Sequence, residues 1–169
     1  MSLQLPLPAS RRAPPVCAAA RSRQRGFSLV EMLIVLGVLA LLVAMALPAY
    51  RTQVAKGQRA QARAQLLLAA QFMQSFHAAH DRFDQTRDGA SVRTRLPATL
   101  AQSPEQGTAL YRLVWLELTP TQYRIGMQPV AGQAMQSDRC GTFTIDASGA
   151  RGLDGAAAND AALREECWR

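Results

Sequence analysis

The chain has 169 residues and an ordinary hydrophobic content of 49%, enough for one modest domain plus a membrane segment, and no internal repeat at solenoid periods is found. Its formal charge of +7 hints at nucleic acid, yet Arg11, Arg12, Arg21, Arg23 and Arg25 all lie in the first 26 residues, which hold no acid. Without that segment the charge is +2, and the electrostatic case for a DNA-binding body weakens.

Residues 1–25 are rich in proline, alanine and arginine without clear periodicity and read as a targeting segment. Phe27 to Leu47 follows as a continuous apolar run in which only Ser28 and Glu31 are strongly polar. As a helix it would be about 31 Å long, which matches a bilayer core. The arginines ahead of it predict a cytoplasmic N-terminus and a body on the far side. An oxidising exterior suits the cysteines: with Cys17 in the leader, Cys140 and Cys167 remain as an even pair and read as a disulfide. Such a link would close a loop of about 28 residues, worth roughly 3–4 kcal/mol in the chain-entropy model.

Beyond Pro48 the pattern stays helical over residues 50–80, with Val54, Ala62, Leu66, Ala69, Phe72, Met73 and Phe76 at helical spacing. One long helix, locally weakened at Pro48, is therefore expected, and its second half needs a cover for its apolar stripe. Residues 81–109 read as a polar connection holding at most a short helical turn. Three strand-like runs follow, Leu110–Leu118, Gln122–Val130 and Thr142–Asp146, with a hairpin turn at Thr119-Pro120-Thr121. The tail from Gly149 has little to fill a core and is expected to be held by the cysteine pair. The fold class is α+β: a long N-terminal helix on a small antiparallel sheet.

Gly26-Phe27-Ser28-Leu29-Val30-Glu31, the apolar run and Pro48 together resemble the head of a type IV pilin precursor. The amphipathic helix, the small sheet and a disulfide-closed C-terminal region extend the resemblance over most of residues 25–169. LPATLAQSP, CGTFTIDASGARG and the closing ECW look most like the PilE-type minor pilins. The resemblance implies a leader of residues 1–26, an assembly segment at 27–48, an amphipathic half-helix at 49–80, a connection at 81–109 and a disulfide-bonded sheet region at 110–169. It also implies cleavage by a prepilin peptidase between Gly26 and Phe27 and methylation of the Phe27 amine by the same peptidase/N-methyltransferase. The leader is longer than is common in the family.

A carboxylate in hydrocarbon costs roughly 2.5–3.5 kcal/mol on insertion scales, so Glu31 calls for a partner. The resemblance supplies one: cleavage creates an ammonium on Phe27, and a staggered neighbour in a filament can offer it to Glu31. The pair would act as a register device more than as a source of net stability, because buried ion pairs often only break even. The implied partners are other pilin subunits, the processing enzyme and an assembly platform in the inner membrane. The implied location is the inner membrane before assembly and an extracellular pilus after it, in the service of adhesion, twitching motility and DNA uptake.

Plainer readings stand beside these. Ala44-Met45-Ala46 fits a secretory cleavage site, but an acid inside the apolar region and a helix continuing past the supposed cut oppose it. His77, His80, Asp81 and Asp84 could invite a metal, although a solvated helix end is the simpler account. Arg51, Lys56, Arg59 and Arg63 could touch DNA or lipid headgroups, or be screened surface charge. Phe72, Met73, Phe76 and Trp115 read as core. No catalytic constellation and no phosphate-binding loop is found, so no enzyme activity, metal or cofactor is expected. Two alternatives remain: a type II secretion pseudopilin, sharing the N-terminal signature, and a DNA-binding receptor pilin, which would lose DNA on neutralising Arg59 and Arg63.

Overall fold

The computed structural model describes residues 27–169, so Gly26, Cys17 and the arginine-rich leader lie outside the described residues. The chain separates into one unit ending at Leu42 and a second running Val43–Arg169.

Helix α1 spans Leu29–His80, and its first bond runs from the Met32 N–H to the Ser28 carbonyl at 3.1 Å. Up to Leu47 its leucines, alanines and methionines are good helix formers. The helix continues through Pro48, where it lacks one backbone donor, and the Thr52 hydroxyl donates back to the Pro48 carbonyl at 3.0 Å. It stops at Asp81, whose φ of 60° lies in the left-handed region while its N–H still reaches the His77 carbonyl at 2.7 Å.

In the second unit the buried positions of α1 are Ala62, Leu66, Ala69, Ala70, Met73 and Phe76, a stripe at helical spacing. They share one core with the inner face of a five-stranded antiparallel meander. Its strands, in spatial as in chain order, are β1 (Gln102–Ser103), β2 (Tyr111–Leu118), β3 (Tyr123–Pro129), β4 (Thr142–Asp146) and β5 (Arg151–Asp154). Register aligns apolar rows on that face: Trp115 opposite Ile125 and Ile125 opposite Ile145, then Leu113, Met127, Phe143 and Leu153 in succession. A bulge between Trp115 and Glu117 re-aims the end of β2. At the sheet centre Gly126 is required by close approach, since a Cβ there would stand 2.9 Å from a Thr142 methyl and 3.0 Å from the Phe143 carbonyl oxygen.

The expected long helix, antiparallel sheet and C-terminal disulfide are all present, and β2, β3 and β4 lie within one residue of the predicted runs. Two expectations need correction. The 81–109 connection holds two 3-10 turns, Val92–Thr94 and Ala98–Leu100, as well as β1. The tail is ordered into β5 and a second helix, α2 (Ala161–Trp168), and it contributes Leu153, Ala157 and Cys167 to the core. Asp160 caps α2 by accepting from the Leu163 N–H at 2.9 Å. Trp168 stands edge-on to Phe143 and donates to the Gly152 carbonyl at 2.8 Å.

Candidate functional site: an uncovered helix and a latched body

Two surfaces carry the functional features. The first is α1 up to Leu47, the one stretch among the described residues long and apolar enough to cross a membrane. Its side chains are all exposed in the isolated chain; Phe27 is 71% and Leu29 75% exposed. Glu31 lies in the first turn, where the helix dipole favours an acid, and it has no ion-pair partner among the described residues. An apolar surface of this length left to water would be strongly unfavourable, at about 25 cal/mol per Å². It demands lipid or other helices.

The second surface is the seam between α1 and the C-terminal region of the body. Arg59 Nε donates to Asp138 Oδ1 at 2.9 Å and to Oδ2 at 3.1 Å, and a second guanidinium nitrogen also donates to Oδ1. The Asp138 side chain is only 4% exposed, and the Tyr111 hydroxyl donates to it at 3.3 Å. Burial pushes the Tyr111 phenol well above the usual tyrosine range, and the Asp138 charge pushes it further the same way. One turn along, Arg63 donates to the Cys167 carbonyl at 2.8 Å, and burial, then the Arg59 charge, lowers its pKa. Cys140 and Cys167 are disulfide-bonded, with Cα atoms 5.8 Å apart. The bond ties the loop carrying Asp138 to the helix that receives Arg63.

The basic stripe read from the sequence is therefore divided. Arg59 is neutralised and Arg63 is committed to a backbone carbonyl, so neither is the free phosphate-binding charge that the DNA-receptor alternative requires. Arg51 and Lys56 stay exposed. The exposed cations elsewhere on the body include Arg93, which lies over the Trp115 ring at 5.6 Å, its neighbour Arg95, and Arg112, whose register partners are Gln102 and Gln128. Arg124 instead lies between Glu117 and Asp146 in register.

The helix-end histidines have other engagements. His77 stacks on Phe83 at 4.3 Å, and His80 packs on Phe76 at 4.5 Å. Asp81 pairs with Arg87 and Asp84 with Arg82. No group of three or more metal-ligating side chains occurs among the described residues. Phe72, Met73, Phe76 and Trp115 belong to the core or pack on it. Sequence reasoning missed Asp138, Tyr111 and α2; the one available signal was Asn159-Asp160 ahead of an alanine-leucine run, a helix-start pattern.

Comparison with known families matches residues 48–144 to a model described as "Type IV minor pilin ComP, DNA uptake sequence receptor". Residues 21–47 match the prokaryotic N-terminal methylation motif. No curated protein sequence matches the chain. Among solved structures, a type IV pilin from Shewanella oneidensis is similar at 20% identity and a TM-score of 0.38, covering 57% of this chain and 88% of that one. The non-core minor pilin PilV of Neisseria meningitidis is similar at 14% identity and a TM-score of 0.45, covering 63% and 96%.

Removing Asp138 alone strands a largely buried guanidinium. Asp138→Ala is expected to destabilise the body by about 3–5 kcal/mol, whereas replacing both partners, Arg59→Met with Asp138→Leu, restores most of the loss. Urea unfolding followed by tryptophan fluorescence checks this; equal losses in the single and double variants would contradict it.

Proposed function

The chain belongs to the family of type IV minor pilins that includes the DNA uptake sequence receptor ComP, and from that premise we propose that it is cut between Gly26 and Phe27, methylated on the new amine and packed into a type IV pilus by its N-terminal helix. It is a structural subunit, held in a membrane by its apolar helix before it joins other pilins. The observation that carries the reading is the uncovered apolar length of α1 with Glu31 as its lone carboxylate. In the filament, neighbouring helices replace lipid around that length. The Phe27 ammonium of one subunit meets Glu31 of the next, so that a misregistered subunit leaves a buried charge unpaired. Before assembly the N-terminus faces the cytoplasm and the body lies beyond the inner membrane, in keeping with the arginines of the leader and with the disulfide. Cleavage and methylation fall to a prepilin peptidase/N-methyltransferase, and a platform in the inner membrane extrudes the filament.

A second reading is favoured by the description of the matching family: the body captures DNA for uptake. Because Arg59 and Arg63 are committed elsewhere, Arg93, which lies over the Trp115 ring, Arg95 and Arg112, all exposed and without an ion-pair partner among the described residues, are the ones to meet phosphates.

Intact mass and N-terminal sequencing of the protein from sheared surface filaments test the first reading. A chain starting at Phe27, heavier by the one CH2 that N-methylation adds and lighter by the two hydrogens of the disulfide, is expected; a chain starting at Leu47 would contradict it. For the second, anisotropy of a labelled duplex with the full chain in micelles should show affinity falling steeply with salt. Arg93→Gln, Arg95→Gln and Arg112→Gln should each lower the salt slope by about 0.9. Binding that is absent or insensitive to salt removes DNA capture.

A further inference from the structure

Two adjoining grooves of about 650 and 600 Å³ lie in the body against the part of α1 that follows Pro48, and they share Lys56, Arg59 and Glu166 as lining residues. Six cations line them: Arg51, Lys56, Arg59, Arg63, Arg139 and Arg169. Against these stand three carboxylates in ion pairs, Asp138 with Arg59, Glu166 with Arg139 and Glu165 with Arg169. The last two pairs are more than half exposed and therefore weak. Arg51 and Lys56 have no carboxylate partner among the described residues. The groove therefore has an excess of positive charge that the body does not balance.

Its place on the helix says what would balance it. Arg51 is four residues and Lys56 nine residues beyond Leu47, where the apolar run ends. At 1.5 Å per residue they stand about 6 and 14 Å along the axis from that end. A headgroup layer is roughly 5–8 Å thick on each side of the hydrocarbon core. Arg51 therefore stands within the headgroup layer, and Lys56, whose side chain leans toward the N-terminus and so toward the bilayer, reaches the outer edge of that layer. A groove of this size admits a glycerophosphate headgroup, whereas a DNA duplex is too wide to enter it.

We propose that this groove holds the phosphate of an anionic phospholipid, seating the body on the outer face of the membrane until the subunit is drawn into the filament. The inference rests on the membrane-held pilin reading above. It adds that extraction must break headgroup contacts as well as withdraw the apolar helix, and that neighbouring subunits take over the groove once the lipid is lost. The disulfide and the Arg59–Asp138 pair matter here as positioning elements, because they fix the wall that carries Arg139 and Arg169 against α1.

The test uses the full chain reconstituted in vesicles, with flotation to establish insertion and native mass spectrometry to count retained lipid. In phosphatidylcholine containing phosphatidylglycerol, the chain is expected to retain phosphatidylglycerol preferentially. Arg51→Gln with Lys56→Gln should weaken that retention about thirtyfold, near fivefold per charge, without altering flotation. Arg93→Gln with Arg95→Gln removes the same charge away from the groove and should leave retention unchanged. A chain that does not float with phosphatidylcholine vesicles overturns the membrane-held reading itself. A chain that floats but retains both lipids equally, or whose groove variant behaves as the unaltered chain does, overturns the groove alone. Loss of lipid to inorganic phosphate makes the ligand a free anion, and loss to a short duplex reassigns the groove to nucleic acid; either outcome also overturns the proposal.

Discussion

The apolar stripe of α1 from Ala62 to Phe76 must be covered by the same chain, and the rest of the body is arranged around that requirement. The sheet brings rows of tyrosine, isoleucine, methionine and phenylalanine to it, and the exposed cations are left on other surfaces. Two polar fastenings fix where the cover sits. The Arg59–Asp138 pair, joined by Tyr111, links the helix to the loop before β4, and Arg63 links it to the last turn of α2. A buried pair of this kind adds little net stability over an apolar one, but it penalises every other seating of the helix, where one charge would be stranded. Position is what it contributes.

The apolar surface before Pro48 is a different case, because nothing among the described residues covers it. Membership of the minor pilin family accounts for such a surface, since the apolar helix of a pilin fits a membrane anchor and association with other pilins. Glu31 fits the same economy. In lipid it is a liability, and in the assembly proposed above a neighbour's ammonium would make it a marker of correct stagger. In that role it would, like Arg59–Asp138, contribute specificity more than stability.

Much of this was legible in the residues. The apolar run with its acid, the helical spacing from Val54 to Phe76 and the alternation in Gln122–Val130 are strong periodic signals, and each element formed where its period placed it. The cysteine pairing followed from counting. What escaped was held by contacts distant in sequence. β5 and α2 are built largely from glycine, alanine and charged residues, with too few apolar positions to announce a period, and they are secured by Cys167, by Trp168 against Phe143 and by the Asp160 cap. Asp138 lies in a polar connection 79 residues from Arg59, and no local pattern marks it as buried. The division of the basic stripe was hidden for the same reason, since spacing along a helix records which side chains share a face and not that the body engages Arg59 and Arg63 while leaving Arg51 and Lys56 exposed.

The account depends on the acid in the apolar helix being answered by the amine of another copy. Its most direct measurement is the share of Glu31→Gln subunits entering filaments when they are produced alongside the unaltered protein in one cell, read by mass spectrometry of sheared pili and of membranes. The account predicts that the variant accumulates in the membrane, correctly cut at Phe27, and is depleted from filaments by about tenfold or more, the cost of one ammonium left unpaired among apolar helices. Equal shares in membrane and filament would contradict it.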